Sequence, residues 1–376
     1  MLKITIIGAG HGGLALAAYF SNLHNQVTLC ADNNHLGFTK QVKKNNNTIN
    51  IIDHVNNKKY NSKIFSVTNS YKTALSNSEI IFIATPSYAH QHIFNKLVSY
   101  IQAHHKIITL AGNFSTIVFN NILQISQNHA KCTIADISSL PYACRVNNTG
   151  YTVDIFGIKK QMGIAAIPAK RTAELANQLS PVFPTKLVTY QNPLEIGLNI
   201  TSGISHPIAA LFNAGRIGQN KDEFYFYKDG ISEHTSVLLE QLDADRRYIG
   251  SLYNLNLPSY LNLMSEFYGN DYSSIHEFFT KTPIHNAQKL CPSSLSDRYI
   301  SQDVPFVIVP WYVLGKLKGF ESIIMRNIIE IASLINKTDY LEIGLNQQKL
   351  MSSHTCVNSF IKNIENGCLD CFPAAA

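Results

Sequence analysis

Charge is scarce in this sequence: 15% of its 376 residues are Asp, Glu, Lys or Arg, while 45% are apolar. That balance excludes an intrinsically disordered chain, which combines low hydrophobicity with high net charge. The formal charge is +6, yet the basic residues come as separated pairs (Lys43-Lys44, Lys58-Lys59, Lys159-Lys160, Arg246-Arg247). There is no sustained basic helix and no basic stripe interleaved with aromatics, so no nucleic-acid partner is expected; a mildly basic protein that handles anionic small molecules is. No apolar run reaches the roughly 20 residues that cross a bilayer, so no membrane partner is expected either. The apolar N-terminus carries one Lys and glycines placed for a turn, and reads as a first strand, not a secretory signal. The seven cysteines, an odd number spread from Cys30 to Cys371, exclude a disulfide framework and point to a cytoplasmic location. Cys368-Leu-Asp-Cys371 lacks a second Cys pair or His at ligand spacing, so no metal is expected there.

What the chain does have is a short β-branched run, residues 4–7, ending in Gly8-Ala-Gly10-His11-Gly12-Gly13 and then an Ala/Leu-rich helical stretch. Each glycine of this G-x-G-x-x-G spacing has a physical task. Gly8 permits the strand-to-helix turn, Gly10 lets a pyrophosphate approach the backbone, and Gly13 lets the helix lie close on the strand. The phosphates would then meet the free N–H groups and positive end of that helix, where His11 also stands. A second β-rich segment, residues 26–30, and Asp32 after it follow at the spacing of a βαβ unit whose acid receives the ribose. The pattern predicts a bound dinucleotide.

Strand and helix patterns go on alternating. Residues 45–57 read as loop and short hairpin, 64–68 as a strand, 70–77 as a helix, and 79–84 as a buried parallel strand broken by Thr85-Pro86. A helix over 88–103, a strand over 106–110 closed near Asn113, and the last strands of the sheet over 133–136 and 150–167 complete the first half. From about residue 190 the apolar period becomes helical, in segments 192–214, 231–250, 257–269 and 321–337. The expected architecture is a Rossmann domain with a doubly wound parallel sheet over residues 1–190. A mostly helical substrate-binding domain is expected over 191–376. Thr85, Pro86 and Asn113 then fall at strand ends, where cofactor and substrate meet.

Two clusters in the second half carry chemistry. Gly203-Ile-Ser-His206-Pro207 offers a histidine inside an apolar helical pattern. Asp297-Arg298-Tyr-Ile-Ser-Gln-Asp303-Val-Pro305 offers a carboxylate and an arginine. Histidine suits proton transfer near neutral pH, a carboxylate on its other nitrogen fixes the tautomer, and arginine clamps a substrate carboxylate. The residues alone leave each open: His206 also fits a hydrogen-bonded core position, and Arg298 with Asp303 also fits a surface ion pair.

The chain resembles the octopine/nopaline (opine) dehydrogenase family. The resemblance runs from the Gly8 to Gly13 opening through Ala84-Thr-Pro-Ser-Tyr-Ala-His90, Gly112-Asn113 and Ser139-Leu-Pro-Tyr-Ala-Cys-Arg145. It continues in Ser205-His206-Pro207, Arg298 to Pro305 and Gly315-Lys316-Leu317, reaching about residue 335. It implies an NAD- or NADP-dependent enzyme that reduces the imine of an amino acid and a 2-keto acid such as pyruvate. His206 matches the family's catalytic histidine, Asp303 its carboxylate partner, Arg298 its substrate-carboxylate arginine, and Asn113 a polar residue lining the site. Residues 30–35 lack the arginine that clamps a 2′-phosphate; Asp32 leans towards NAD, while Lys40 could reach a phosphate. Two competing functions are a 2-keto acid or phosphorylated-ketone reductase of the same two-domain plan, with Lys170 as general acid, and a dinucleotide sensor without turnover. Glu223, Asp243 and Asp245 are candidates for recognising the amino-acid side chain, or plain surface acids. Exposed aromatics leave room for a homodimer.

Overall fold

The computed structural model describes residues 1–126, 132–219, 224–286, 291–352 and 356–366. Glu223 and the Cys368/Cys371 pair lie outside these. The chain divides into two compact units, residues 1–196 joined by the segment from Asn358 onward, and residues 197–357. The first unit thus runs six residues past the expected boundary at 190 and includes a C-terminal segment expected with the second.

The first unit is built on β1 (Lys3–Ile7), β2 (Gln26–Cys30), β3 (Thr48–Asp53), β4 (Lys58–Lys63), β5 (Ser66–Thr68) and β6 (Ile80–Ile83). They are followed by β7 (Lys106–Leu110), β8 (Thr133–Ile137), β9 (Tyr142–Val146), β10 (Thr152–Ile158), β11 (Gln161–Ile167) and β12 (Lys186–Thr189). Eight strands form one sheet in the order β12-β11-β8-β7-β6-β1-β2-β5. All its pairings are parallel except β11 on β8. Strand order reverses on either side of β1, the doubly wound arrangement that opens a ligand crevice at the carboxyl ends of the strands. Ile4, Ile6, Ile80, Ile81, Phe82 and Ile83 are at most 3% exposed, as strands covered on both faces require.

The expectation that residues 150–167 supply the last strands of the main sheet needs correction. β11 does join that sheet, but β10 belongs to a second, four-stranded sheet in the order β4-β3-β10-β9. Of the hairpin expected over residues 45–57, only β3 and the turn fall within those bounds; the strand it pairs with, β4, lies beyond them. The His11–Asn22 helix packs against both β1 and β2 of the first sheet and β3, β4, β9 and β10 of the second. Leu14, Ala15, Leu16, Ala17 and Ala18 are all fully buried, because small apolar side chains let the helix fit between two sheets.

The second unit is helical. Ser232, Ser259, Ser274 and Ser322 each cap a helix of this unit, accepting the N–H three residues on. Its Ser202–Phe212 helix packs on Glu233–Leu252, on Arg298–Ser301 and on the π-helical segment Val304–Ile308. Gly203 allows that close approach: a Cβ there would lie 2.5 Å from Val307 Cγ1. Behind it, Arg246 is wholly buried. Its guanidinium donates to Asp243 Oδ1 at 2.6 Å and 3.0 Å, to Asn199 Oδ1 at 2.8 Å and to the carbonyls of Leu198 and Pro258. Asp243 also accepts the Tyr260 N–H and the Arg247 Nε–H, both at 3.2 Å, and Asp245 accepts the Ser322 hydroxyl at 2.5 Å. These two acids hold the scaffold; neither is a free recognition group.

Candidate active site and dinucleotide cradle

The glycine turn has the close contacts its spacing demands. Gly8 has φ +112°, and a Cβ on it would lie 2.5 Å from the Ala84 carbonyl oxygen; one on Gly13 would lie 1.9 Å from the Gly8 carbonyl oxygen. Gly10 differs: nothing stands within 4 Å of the place its Cβ would take. Gly10 is also the N-cap of the His11–Asn22 helix, and no side chain caps it. Open space beside an uncapped helix start is what a dinucleotide pyrophosphate needs, so the residues fit that group. His11, at the first helical position, accepts the Val146 N–H on Nδ1 at 2.9 Å. Burial, and then the Arg145 cation, push its pKa down, so the neutral ring carries its proton on Nε2.

Asp32 stands beyond the end of β2 as predicted, but its carboxylate is already engaged. Oδ1 accepts the Asn34 N–H at 2.8 Å, while Oδ2 accepts the Tyr71 hydroxyl at 3.1 Å and the Lys96 ammonium at 2.8 Å. Burial pushes the carboxyl up, but these donors outweigh it and hold it at about 2. Lys40 and Lys170 are both exposed, Lys170 in the Ala169–Arg171 turn.

Thr85 and Pro86 follow β6, and Asn113 follows β7, so both groups sit at carboxyl ends of strands near β1. The loop carrying Asn113 is strained: Ala111, Asn113 and Phe114 have φ of 52°, 51° and 65°, a region that costs about 1–2 kcal/mol for a residue with a Cβ. His90, buried in the helix after Pro86, holds the two strand ends together. Its Nε2 donates to the Thr85 carbonyl at 2.9 Å, and its Nδ1 meets the Ser115 hydroxyl, which in turn contacts the Gly112 carbonyl. Burial pushes the His90 pKa down to about 4 and keeps the ring neutral. His90 was part of the resemblance, but nothing in its spacing signalled this role.

In the second unit the structure pairs His206 with Asp303. Nδ1 donates to Oδ2 at 2.5 Å, and the side chains are 14% and 4% exposed. Ser202, one helical turn before His206, donates to the other carboxylate oxygen at 3.1 Å. Ser202 escaped sequence reasoning, although its i, i+4 spacing from His206 places both on one helix face. With Nδ1 held, Nε2 is the nitrogen left for proton transfer. The His206 ring lies 4.1 Å from that of Tyr299 and 6.2 Å from that of Tyr227. Asp303 immediately precedes the π-helical segment, a widened turn that recurs at functional sites.

Arg298 does not pair with Asp303. It is exposed, its guanidinium lies 5.6 Å over the Tyr299 ring, and among the described residues it forms no ion pair. Two site elements are thus adjacent: a buried His–carboxylate pair, and an exposed guanidinium that shares Tyr299 with it.

Comparison with known proteins divides along the same lines. Residues 3–141 match the family described as NAD-dependent glycerol-3-phosphate dehydrogenase N-terminus. Residues 189–336 match the NAD/NADP octopine/nopaline dehydrogenase, alpha-helical domain. An opine dehydrogenase of Arthrobacter sp. (strain 1C) is 28% identical over 347 residues, covering 92% of this chain and 94% of its own. A D-nopaline dehydrogenase of Agrobacterium vitis is 23% identical over 335 residues, covering 81% and 79%. The structure of octopine dehydrogenase with NADH and L-arginine superposes with a TM-score of 0.79 over 97% of this chain and 98% of that one, at 16% identity. The helical-domain match falls on the residues that carry the His206–Asp303 pair and Arg298, and with these relatives it supports a place in the octopine/nopaline (opine) dehydrogenase family.

Proposed function

We propose that the chain is an NAD(P)H-dependent opine dehydrogenase that joins an amino acid to a small 2-keto acid such as pyruvate. The amine condenses with the keto carbonyl, water leaves, and the resulting imine is reduced to a secondary amine dicarboxylate. The dinucleotide, held by the Gly8–Gly13 turn and the strand ends at Thr85 and Pro86, supplies the hydride when bound. Arg298 holds the keto-acid carboxylate through its exposed guanidinium, and Asn113 contributes a polar contact to the substrate. His206 Nε2 takes and returns protons as the amine condenses and the imine nitrogen is protonated. Asp303, fixed by Ser202, keeps the Nδ1–H tautomer and stabilises the imidazolium.

The carrying observation is the 2.5 Å contact of His206 with buried Asp303 beside Arg298, which forms no ion pair among the described residues. Three thiols, Cys30, Cys132 and Cys144, are buried and free, which supports the reading of a reducing cytoplasmic setting. The test is oxidation of NADH and NADPH with pyruvate, with and without a pool of L-amino acids. Oxidation only when amine and keto acid are both present supports imine reduction; oxidation with keto acid alone makes the chain a ketone reductase. Cofactor binding with no oxidation in any mixture would favour the sensor.

A further inference from the structure

The acid expected to receive the cofactor ribose has almost no capacity left to do so. Recognition of a ribose diol by carboxylate needs lone pairs for its hydroxyls, and the same charge repels a 2′-phosphate. Asp32 has committed Oδ1 to the Asn34 N–H and Oδ2 to both Tyr71 and Lys96. Its side chain is only 6% exposed, and His92 Nε2 stands a further 3.7 Å from Oδ2. Lys96, by contrast, is 39% exposed. An ammonium has three donors, and the ion pair uses one.

Asp32 and Lys96 both line an open cleft of about 610 Å³, with Asn33, Ser70 and Lys72 among its other walls. Asn33, Ser70 and Lys72 are exposed. The lining carries one carboxylate, cancelled at 2.8 Å by Lys96, and Lys72 then leaves it net positive. Such a cleft beside the end of β2 suits an anion better than a neutral diol.

We propose that Lys96 sets the cofactor selectivity: by neutralising Asp32 and keeping donors free, it admits the 2′-phosphate, so that the chain takes NADP(H) as well as NAD(H). The inference rests on the dinucleotide-dependent reading above and names what that reading leaves open. Lys96 lies outside the glycine turn and has no part in the proton chemistry of His206.

The test is direct binding to the full chain without substrates, following NADH and NADPH fluorescence and titrating 2′,5′-ADP by calorimetry. The unaltered chain should bind NADPH within about tenfold of NADH, and should bind 2′,5′-ADP. Lys96→Met should weaken NADPH by about 30-fold or more and leave NADH within about threefold, because an uncompensated Asp32 repels only the phosphate. Lys96→Arg should retain NADPH binding. The pair Asp32→Asn with Lys96→Met, which buries no unpaired charge, should recover part of the NADPH affinity and guards against simple misfolding. NADPH binding more than about 100-fold weaker than NADH in the unaltered chain would overturn the proposal, as would equal weakening of both by Lys96→Met. Binding of neither dinucleotide would instead remove the cofactor reading, and this proposal with it.

Discussion

His206 Nδ1 lies 2.5 Å from Asp303 Oδ2, and the opposite carboxylate oxygen is held by Ser202 at 3.1 Å. The imidazole is therefore fixed in orientation and tautomer by a buried acid that is itself fixed. His206→Ala is expected to lower turnover by about 10²-fold or more while NADH binding changes less than about threefold. Asp303→Asn should act in the same direction through the wrong tautomer, and Ser202→Ala should do so more mildly. Steady-state kinetics with parallel cofactor titrations check all three; near-normal turnover in His206→Ala would remove the pair from the mechanism.

Arg298 is exposed and forms no ion pair among the described residues. Its removal should cost little stability. Arg298→Met is expected to raise the KM for the keto acid by about tenfold or more, the loss of a charge-assisted bidentate contact, with the melting temperature nearly unchanged. Arg298→Lys should recover only part, since one ammonium does not reproduce the guanidinium fork. An unaltered KM would assign carboxylate binding elsewhere.

Gly10 and Gly13 separate cofactor binding from folding. A Cβ at Gly10 meets nothing within 4 Å, whereas one at Gly13 would lie 1.9 Å from a backbone oxygen. Gly10→Ala should fold with an ordinary melting temperature yet bind NADH at least about tenfold more weakly, because the methyl fills the pyrophosphate's approach. Gly13→Ala should yield little folded protein. Expression, thermal melts and cofactor titration distinguish the two.

Asp136 in β8 is completely buried, and burial pushes its carboxyl up to about 6 despite the Thr116 N–H donating to Oδ2 at 3.2 Å. A raised carboxyl favours the folded state while protonated, so its contribution is full below about pH 4 and is lost as pH rises through about 6. Asp136→Asn removes this dependence. Relative to the variant, the unaltered chain should lose up to about 3 kcal/mol between pH 4 and pH 7.5. Urea unfolding at those two values tests it, and a constant difference would contradict it.

Arg246 is 0% exposed and joins the Glu233–Leu252 helix to Leu198 and Asn199, just ahead of the helix that carries His206. Arg246→Met leaves Asp243 buried with only the half-exposed Arg247 as counter-charge, and should destabilise the second unit by about 3–5 kcal/mol. A denaturation midpoint close to that of the unaltered chain would show that Asp243 is satisfied without it.

What the amino-acid sequence determined by itself is local. The strand, the three spaced glycines and the small-residue helix are consecutive, so their geometry follows from φ freedom and Cβ clashes within one turn of chain. The change of apolar period near residue 190 is likewise a property of neighbours. Only the tertiary structure decided the rest. His206 and Asp303 are 97 residues apart, and either could have served as a surface or core residue until packing against Val304–Ile308 set them 2.5 Å apart. Arg246 reads as half of a basic surface pair and Asp243 as a surface acid, yet together they are a buried clamp, because burial depends on what covers a helix face. β10 joins a second sheet rather than the first, and Asp32 is claimed by Lys96 from a helix 64 residues away. Each of these outcomes is a non-local pairing, where desolvation and charge compensation act between groups that the linear order does not bring together.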